Sequence, residues 1–400
     1  MNAAFALLCL ALALLAYAWL LFPVIIQMVA RRGVREGPRP PDSVKPPKVD
    51  IVIAAHNEAG HIADRVRNIL ALDYPQDRIR VLIGVDGSDD DTAACARSVA
   101  DEHDHIHVEE FLVRRGKVPV LKDLVAQCEA SLIVFSDANT MFKKDALNHL
   151  LRPMQASASL GGVCGRLVLG REDVHETDRD TEEGFYWGWE TDLKVSESRL
   201  DSCLGANGAI FVIRRELFWD DIPENTLVDD FVIGMKVREQ GARFIFEPKA
   251  IAFEALPELA DEWARRVRIG AGDFQALGFC SRCLHPSFGW FALSFWSHKV
   301  LRWVTPLLGI VATLCALALM NASEAAPRIL SLLVLVAVGL ALVVALIGRL
   351  MARCESPLAR VPRLGWHFVS MQLALLVGFV RFCRGNLGGQ WKRTPRTQAQ

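Results

Sequence analysis

The sequence predicts an α/β fold, a parallel sheet covered by helices on both faces, with apolar helices at both ends that attach it to a bilayer. Three observations carry that prediction. Between residues 49 and 150, apolar β-rich runs alternate with stretches of helical periodicity, the pattern of strands buried on both sides. Three segments, Ala3 to Ala30, Val304 to Ala322 and Ile329 to Gly348, carry no charged residue and are each long enough to cross a membrane. Acidic residues recur where strand patterns stop, and open α/β sheets bind ligands at the carboxyl ends of their strands.

Residues 1–30 are the first predicted membrane helix. No basic residue precedes this apolar run, and it continues past the cleavage-like Ala16-Tyr17-Ala18, so a removable signal is disfavoured. Arg31, Arg32, Arg35, Lys45 and Lys48 follow it, which by the positive-inside rule puts the N-terminus outside and the middle of the chain in the cytoplasm. Residues 31–48 form a basic linker containing the proline-rich "GPRPPDSVKPP", Gly37 to Pro47.

The folded domain is expected over 49–280. Its strand-like runs are "VDIVIAA" (Val49 to Ala55), "RVLIGVD" (Arg80 to Asp86), "HIHVEEF" (His105 to Phe111) and "SLIVFSD" (Ser131 to Asp137). Helices are expected from about Ala59, from about Thr92, through Leu121 and Val125, and from Lys144. No GxGxxG follows the first strand, which removes the phosphate cradle of a dinucleotide site; His56-Asn57-Glu58 stands there instead. From about Leu160 to Phe253 the pattern is less regular and includes an acidic helix from about Asp178 to Arg199.

Over 284–303 aromatics alternate with His298, Lys299 and Arg302, a composition suited to a helix lying in the headgroup layer. Two membrane helices are expected within 304–348. Residues 349–400 read as a basic loop, a short interfacial or re-entrant segment at 366–380, and a basic tail with Lys392 and Arg393.

A formal net charge of -1 gives no case for a nucleic-acid partner. The ten cysteines form no framework and are expected as thiols in a reducing compartment. Cys280-Ser-Arg-Cys283 has no second pair to complete a zinc site.

The acids with chemical promise are Asp86, Asp137 and the pair Asp229-Asp230. One acid after a strand is ordinarily a turn former or helix cap. Three such places in one α/β domain bring carboxylates together, and these repel unless a cation is shared, as with a metal-bound nucleotide diphosphate.

In order and spacing, these motifs resemble the family-2 glycosyltransferases with a GT-A (nucleotide-diphospho-sugar transferase) fold, in the membrane-attached branch of the cellulose, chitin and hyaluronan synthases. "AAHNE" resembles the first-strand motif that holds a uridine, implying roles for the Ala54 backbone, for His56 near the base and for Glu58 on the nucleoside. "VDGSDDDT" resembles the second-strand motif, in which Asp86 would accept a hydrogen bond from the uracil ring. "RRGKVPVLKDLV" implies Lys117 as a cation beside the donor, although Val118, Pro119 and Lys122 depart from the usual small residues and asparagine.

"SDANT" resembles the Asp-x-Asp metal motif with asparagine in the second acidic place, implying Asp137 and Asn139 as ligands of Mg2+ or Mn2+. "GANGAIFVIRREL" implies an acceptor loop with Gly205, Asn207 and Gly208, and "LVDDF" implies Asp230 as catalytic base with Asp229 on the acceptor side. "RRVRI" aligns with Gln-x-x-Arg-Trp, so Arg268 would neutralise the departing diphosphate while Arg265 and Ile269 replace glutamine and tryptophan.

The resemblance implies an inverting transferase that moves sugar from a UDP-sugar to a lipid-linked or glycan acceptor at the cytoplasmic face of the cell (inner) membrane. The altered tryptophan favours single additions. A processive polysaccharide synthase subunit and a non-catalytic nucleotide-binding scaffold remain as alternatives, and polysaccharide-assembly subunits are the implied protein partners.

Overall fold

The computed structural model describes residues 3–32, 45–170, 182–255, 259–352, 354, 356 and 359–387. Most of the proline-rich linker, the start of the expected acidic helix and the basic tail lie outside these residues.

At its centre is one eight-stranded sheet, in the order β3-β2-β1-β4-β7-β6-β8-β5. Its first half is built from β1 (Val49–Ala55), α3 (Ile62–Leu70), β2 (Ile79–Asp86), α4 (Thr92–Ala100), β3 (Ile106–Phe111), α5 (Lys117–Ala126) and β4 (Leu132–Phe135). These four strands are parallel. Successive side chains of a strand point to opposite faces, and here both faces are apolar. Ile51, Ile53, Val81, Ile83 and Val134 face α3, α4 and α6 (Ala146–Ala156). Val52, Ala54, Leu82, Ile133 and Phe135 face α5 and the C-terminal helices.

The second half departs from an all-parallel sheet. Strands β5 (Thr140–Phe142), β6 (Leu160–Leu169), β7 (Phe211–Arg214) and β8 (Arg243–Glu254) bring antiparallel pairs, with β7 running against both β4 and β6. Only four residues of β7 pair, too few for an alternation pattern to reveal direction. Helix α7 (Glu182–Leu200) follows β6, α8 (Asp229–Glu239) follows β7 and α9 (Leu259–Phe279) follows β8.

At the N-terminus α1 (Ala3–Ala16) and α2 (Phe22–Arg32) are joined through a π-turn at Tyr17–Leu21. After α9 come α10 (Trp290–Ser294), a second π-turn at Phe295–Val300, α11 (Leu301–Trp303), α12 (Thr305–Leu319), α13 (Ala325–Leu350) and α14 (Arg360–Cys383). By length and composition, Ala3–Arg32, α13 and α14 can each cross a membrane; Trp290–Trp303 with α12 makes a fourth if that pair, bent by 59°, is one span. Pro306 in the first turn of α12 suits a helix that restarts after the bend. The apolar stretch at 366–380 lies inside α14, which is 24 residues long.

The helical segment 290–303 is two-sided. Phe291, Phe295 and Trp303 complete the second core of the sheet, while Trp290, Leu293 and Trp296 are exposed. Of its polar residues, Ser294, Ser297, His298 and Arg302 are buried and Lys299 is half-buried. His298 Nδ1 lies 2.6 Å from Glu197 and Nε2 lies 3.0 Å from Glu190, and Lys299 donates to Glu190 at 2.8 Å. The Arg302 guanidinium sits between the rings of Trp19 and Trp189, 4.9 and 4.3 Å from their centroids. This charged joint ties α7 to the N-terminal apolar helical segment and to the bent pair. Burial opposes the charge on Glu190, but His298 and Lys299 outweigh it and hold the carboxyl well below its ordinary range.

Candidate active site

Strand β4 pairs with β1 only as far as Val52 opposite Phe135. Ala54 and Ala55 therefore extend past the last rung, and the carboxyl ends of the parallel strands, where open α/β sheets bind ligands, form the candidate cleft. Two turns are sewn together on one side. Asn57, with φ 56°, is the only non-glycine residue of positive φ among the described residues, a conformation asparagine tolerates better than most. It accepts from Asp89 N at 2.9 Å, while its own N–H donates to Ser88 Oγ at 3.0 Å and Glu58 N donates to Thr92 Oγ1 at 2.8 Å. The sequence motif contains Asn57 but implies no role for it; its enriched αL tendency is the signal that marks it.

His56 Nδ1 donates to the Asp86 carbonyl at 2.7 Å, which fixes its tautomer. The Asp86 carboxylate is fully buried and accepts from Arg115 N at 2.7 Å and Gly116 N at 2.8 Å. It thus stands one step behind the cleft, anchoring the loop that leads into α5. Glu58 is also buried.

Lys117, the first residue of α5, reaches across the cleft. Its Nζ lies 3.0 Å from Asp137 Oδ1 and 3.3 Å from Asp229 Oδ2. Burial works against this ammonium, but Asp137, Asp229 and Asp230 together hold its pKa above the ordinary lysine range. Asp137 follows β4 in the turn that leads to β5, and Gly208 packs against it. A Cβ built at Gly208 would lie 3.0 Å from Asp137 Oδ2 and 3.4 Å from Lys117 Nζ, so a side chain there would crowd the pair.

The opposite wall is the start of α8. Gly205 adopts φ +71°, and a Cβ there would meet the Phe231 ring at 2.3 Å, so the loop can lie on α8 only with glycine. Asn207 holds the same loop through Gly165 O at 2.8 Å. Burial and the neighbouring Asp229 push the Asp230 carboxyl up to about 6, its partial relief coming from Lys117 and from the Phe231 N–H at 2.8 Å. Helix α9 closes the site. Arg268 donates to Leu227 O at 2.9 Å, Gln275 accepts from Leu227 N at 3.0 Å, and a Cβ at Gly272 would press on Val228 at 2.8 Å. Burial and Arg265 lower the Arg268 pKa, with Asp229, Asp230 and Asp137 acting the other way.

The structure thus gathers Lys117, Asp137, Gly208, Asp229, Asp230 and Arg268 around one cleft, and leaves Asp86, Glu58 and Asn207 behind it. One residue escapes the sequence motifs. Asp273 on α9 is half-buried, and burial pushes its carboxyl up to about 8, with Asp230 adding to the rise and Lys299 opposing it. Its signal in the sequence is a lone acid in "RIGAGDFQAL".

Among the described residues no group of three or more His, Cys, Asp or Glu could hold a metal unaided. Asp137 and Asn139 offer one carboxylate and one amide oxygen, which fits a hard divalent cation completed by phosphate oxygens and water.

Carboxylates at strand ends, a bridging lysine and a facing arginine on this mixed sheet make a site of the group-transfer class, with charge of both signs at the carboxyl ends of parallel strands. A family profile described as "Glycosyltransferase like family 2" matches residues 46–269, more than half of the chain. The chain belongs to that family. It is similar to the poly-beta-1,6-N-acetyl-D-glucosamine synthase of Staphylococcus aureus, 24% identical over 236 residues that cover 57% of this chain and 55% of that protein. The Staphylococcus epidermidis synthase of the same name is 23% identical over the same length. The chain therefore spans about half the length of the curated relatives it matches. In fold it is similar to the mannosyltransferase PcManGT from Pyrobaculum calidifontis, solved in complex with GDP-Man and Mn2+, with a TM-score of 0.69, 23% identity, and coverage of 94% of this chain and 99% of that one.

Proposed function

We propose that the chain is an inverting glycosyltransferase that moves a sugar from a nucleotide-diphosphate sugar, UDP-linked by its motifs, to a lipid-linked or glycan acceptor at the cytoplasmic membrane face. The observation that carries this reading is the pair Asp229-Asp230, set opposite Lys117 and Asp137 in an open cleft. An acceptor hydroxyl is a poor nucleophile. An Asp230 carboxylate with a pKa near 6 is ionised at neutral pH yet basic enough to take the hydroxyl proton as the oxygen attacks the anomeric carbon. Attack from the face opposite the diphosphate inverts that carbon in one displacement.

Arg268 and Lys117 bring positive charge to the leaving diphosphate, Arg268 with the two-pronged geometry suited to phosphate oxygens. The bond from Arg268 to Leu227 O uses one Nη1 hydrogen and leaves the other donors of the guanidinium for the diphosphate. A divalent cation on Asp137 and Asn139 would supply further charge neutralisation; Mn2+ is the ion in the related mannosyltransferase structure. Ala54 and His56 serve the nucleoside side, supported from behind by the buried Glu58 and by Asp86 through the Arg115-Gly116 loop. Gly205, Asn207 and Gly208 shape the acceptor side.

The names of the staphylococcal relatives favour a second reading, processive synthesis of a polysaccharide, alone or with assembly subunits. Ile269 in place of the motif's tryptophan favours single additions. Both readings are tested by incubating the full chain with Mn2+ and a panel of UDP- and GDP-sugars, with and without membrane lipid extract. Release of nucleotide from one donor is expected, and product length separates the readings. No release from any donor overturns both and leaves a nucleotide-binding scaffold.

A further inference from the structure

The apolar stripe of α3 consists of Ile62, Val66 and Ile69, and Arg65 lies on that stripe rather than on the solvent face. Its side chain is fully buried. Nη1 donates to Asn68 Oδ1 at 2.6 Å, Nη2 donates to Ser136 Oγ at 3.1 Å, and the flat face lies 4.0 Å from the Phe142 ring centroid. Asn68 in turn donates to Phe142 O at 2.9 Å and accepts from Phe142 N at 2.8 Å. Ser136 and Phe142 flank the turn that carries Asp137 and Asn139. Both ends of that turn are therefore fixed to one helix, the helix that follows Glu58.

Stability alone is a poor reason for this arrangement. A buried guanidinium loses its hydration, its Nε has no partner among the described residues, and an apolar residue would complete the stripe without that cost. Burial pushes the Arg65 pKa down to about 9, and the carboxylate that supports its charge is Asp137. It remains a cation at neutral pH.

We propose that Arg65 is a positioning residue for donor binding: it holds the Ser136 to Phe142 turn so that Asp137 and Asn139 face the diphosphate and its cation, and couples that turn to the nucleoside side of the cleft. This rests on the cleft being a nucleotide-diphosphate-sugar site. Lysine keeps the charge but has neither the planar fork nor the flat stacking face.

The test is calorimetric binding of UDP in the presence of Mn2+ to the full chain in detergent, compared for the wild type, Arg65→Lys, Ser136→Ala and Arg67→Lys. Arg67 pairs with Asp64 on the exposed face of the same helix. Affinity is expected to fall about tenfold in Arg65→Lys and about threefold in Ser136→Ala, as a fork or one of its bonds is lost, and to be unchanged in Arg67→Lys. A merely structural arginine would lower the melting temperature and leave the affinity of the folded protein at the wild-type value; that result in both variants overturns the inference. If Arg65→Lys does not fold, Ser136→Ala, which leaves the buried charge in place, decides alone. If the wild type binds neither UDP nor GDP with Mn2+, the donor-site reading fails and the inference falls with it; binding that is equal in wild type and variants sinks the inference only.

Discussion

Two clusters of carboxylates and cations lie beside the second core, and their settings differ. In the joint, His298 presents both ring nitrogens to glutamates, Lys299 and Arg302 converge on Glu190, and the side-chain exposures of His298, Glu190 and Glu197 are 1, 7 and 0%. In the cleft, Lys117 spans Asp137 and Asp229, which remain 26 and 11% exposed, while Asp230 and Asp273 sit with raised pKa values. The joint closes its charges within the protein. The cleft has an excess of carboxylate that a divalent cation and an acceptor hydroxyl would relieve. Charge clustering alone therefore does not mark a site; unrelieved charge beside open space does.

On that contrast, substitutions in the two clusters fail in different ways. Asp230→Asn should lower the transfer rate by roughly 100- to 10,000-fold, the range of a lost general base, without lowering the melting temperature, because one of two adjacent acids is neutralised. Rate by nucleotide release and stability by thermal unfolding, measured on one preparation, check both halves. A large stability loss would show that the cleft is as locked as the joint.

His298→Leu should behave in reverse. Removing one partner leaves Glu190 and Glu197 buried without it, a loss of about 3–5 kcal/mol for a broken buried pair. The expected reading is a marked fall in melting temperature in detergent, with unchanged nucleotide affinity in the folded fraction. A variant of full stability and altered nucleotide affinity would move the joint into the binding machinery.

The sequence disclosed these clusters unequally, for a physical reason. Asp86 and Asp137 end apolar runs, a local pattern, and Lys117 and Asp229-Asp230 fall in motifs a few residues long. The parallel strands β1 to β4 were legible for the same reason, since continuous burial produces continuous apolar sequence. The antiparallel β7 was not, because four residues encode no direction. Nor was the joint: the partners of His298 and Lys299 are 101 to 109 residues away, and nothing local states which glutamate so distant a helix will meet. His298, Lys299 and Arg302 did suggest a headgroup-layer helix, yet tertiary pairing buries His298 and Arg302. Arg65 falls in none of the motifs; its only local signal is an arginine among the apolar positions of α3, and its partners Ser136 and Phe142 lie more than 70 residues away.

The pH profile gives a smaller but directional test. Base catalysis needs ionised Asp230, so with its pKa raised to about 6 the rate should climb with pH below that value and level off above it. Each unit below the midpoint costs about tenfold. Lys117→Met removes a cation that favours the ionised form and should move the midpoint upward. A flat profile from pH 5 to 8 would mean that a different group takes the proton.

The smallest expected effect is at Asp273. Its folded-state pKa of about 8 lies well above the ordinary carboxyl value of about 4. Between those values the folded chain keeps a proton that the unfolded chain has released, so this residue makes stability fall as pH rises through the window. An asparagine side chain cannot ionise, so Asp273→Asn should unfold like the wild type near pH 4 and at a higher temperature at pH 8. The gain should be only about 2 °C, because the side chain is half-buried and solvent screens part of the penalty. A wild type that gains stability over the variant as pH rises from 5 to 8 would mean that Asp273 is ionised and paired, with Lys299 the available cation. The cleft would then be internally closed on that side, as the joint is, and its unrelieved charge would reduce to Asp229 and Asp230.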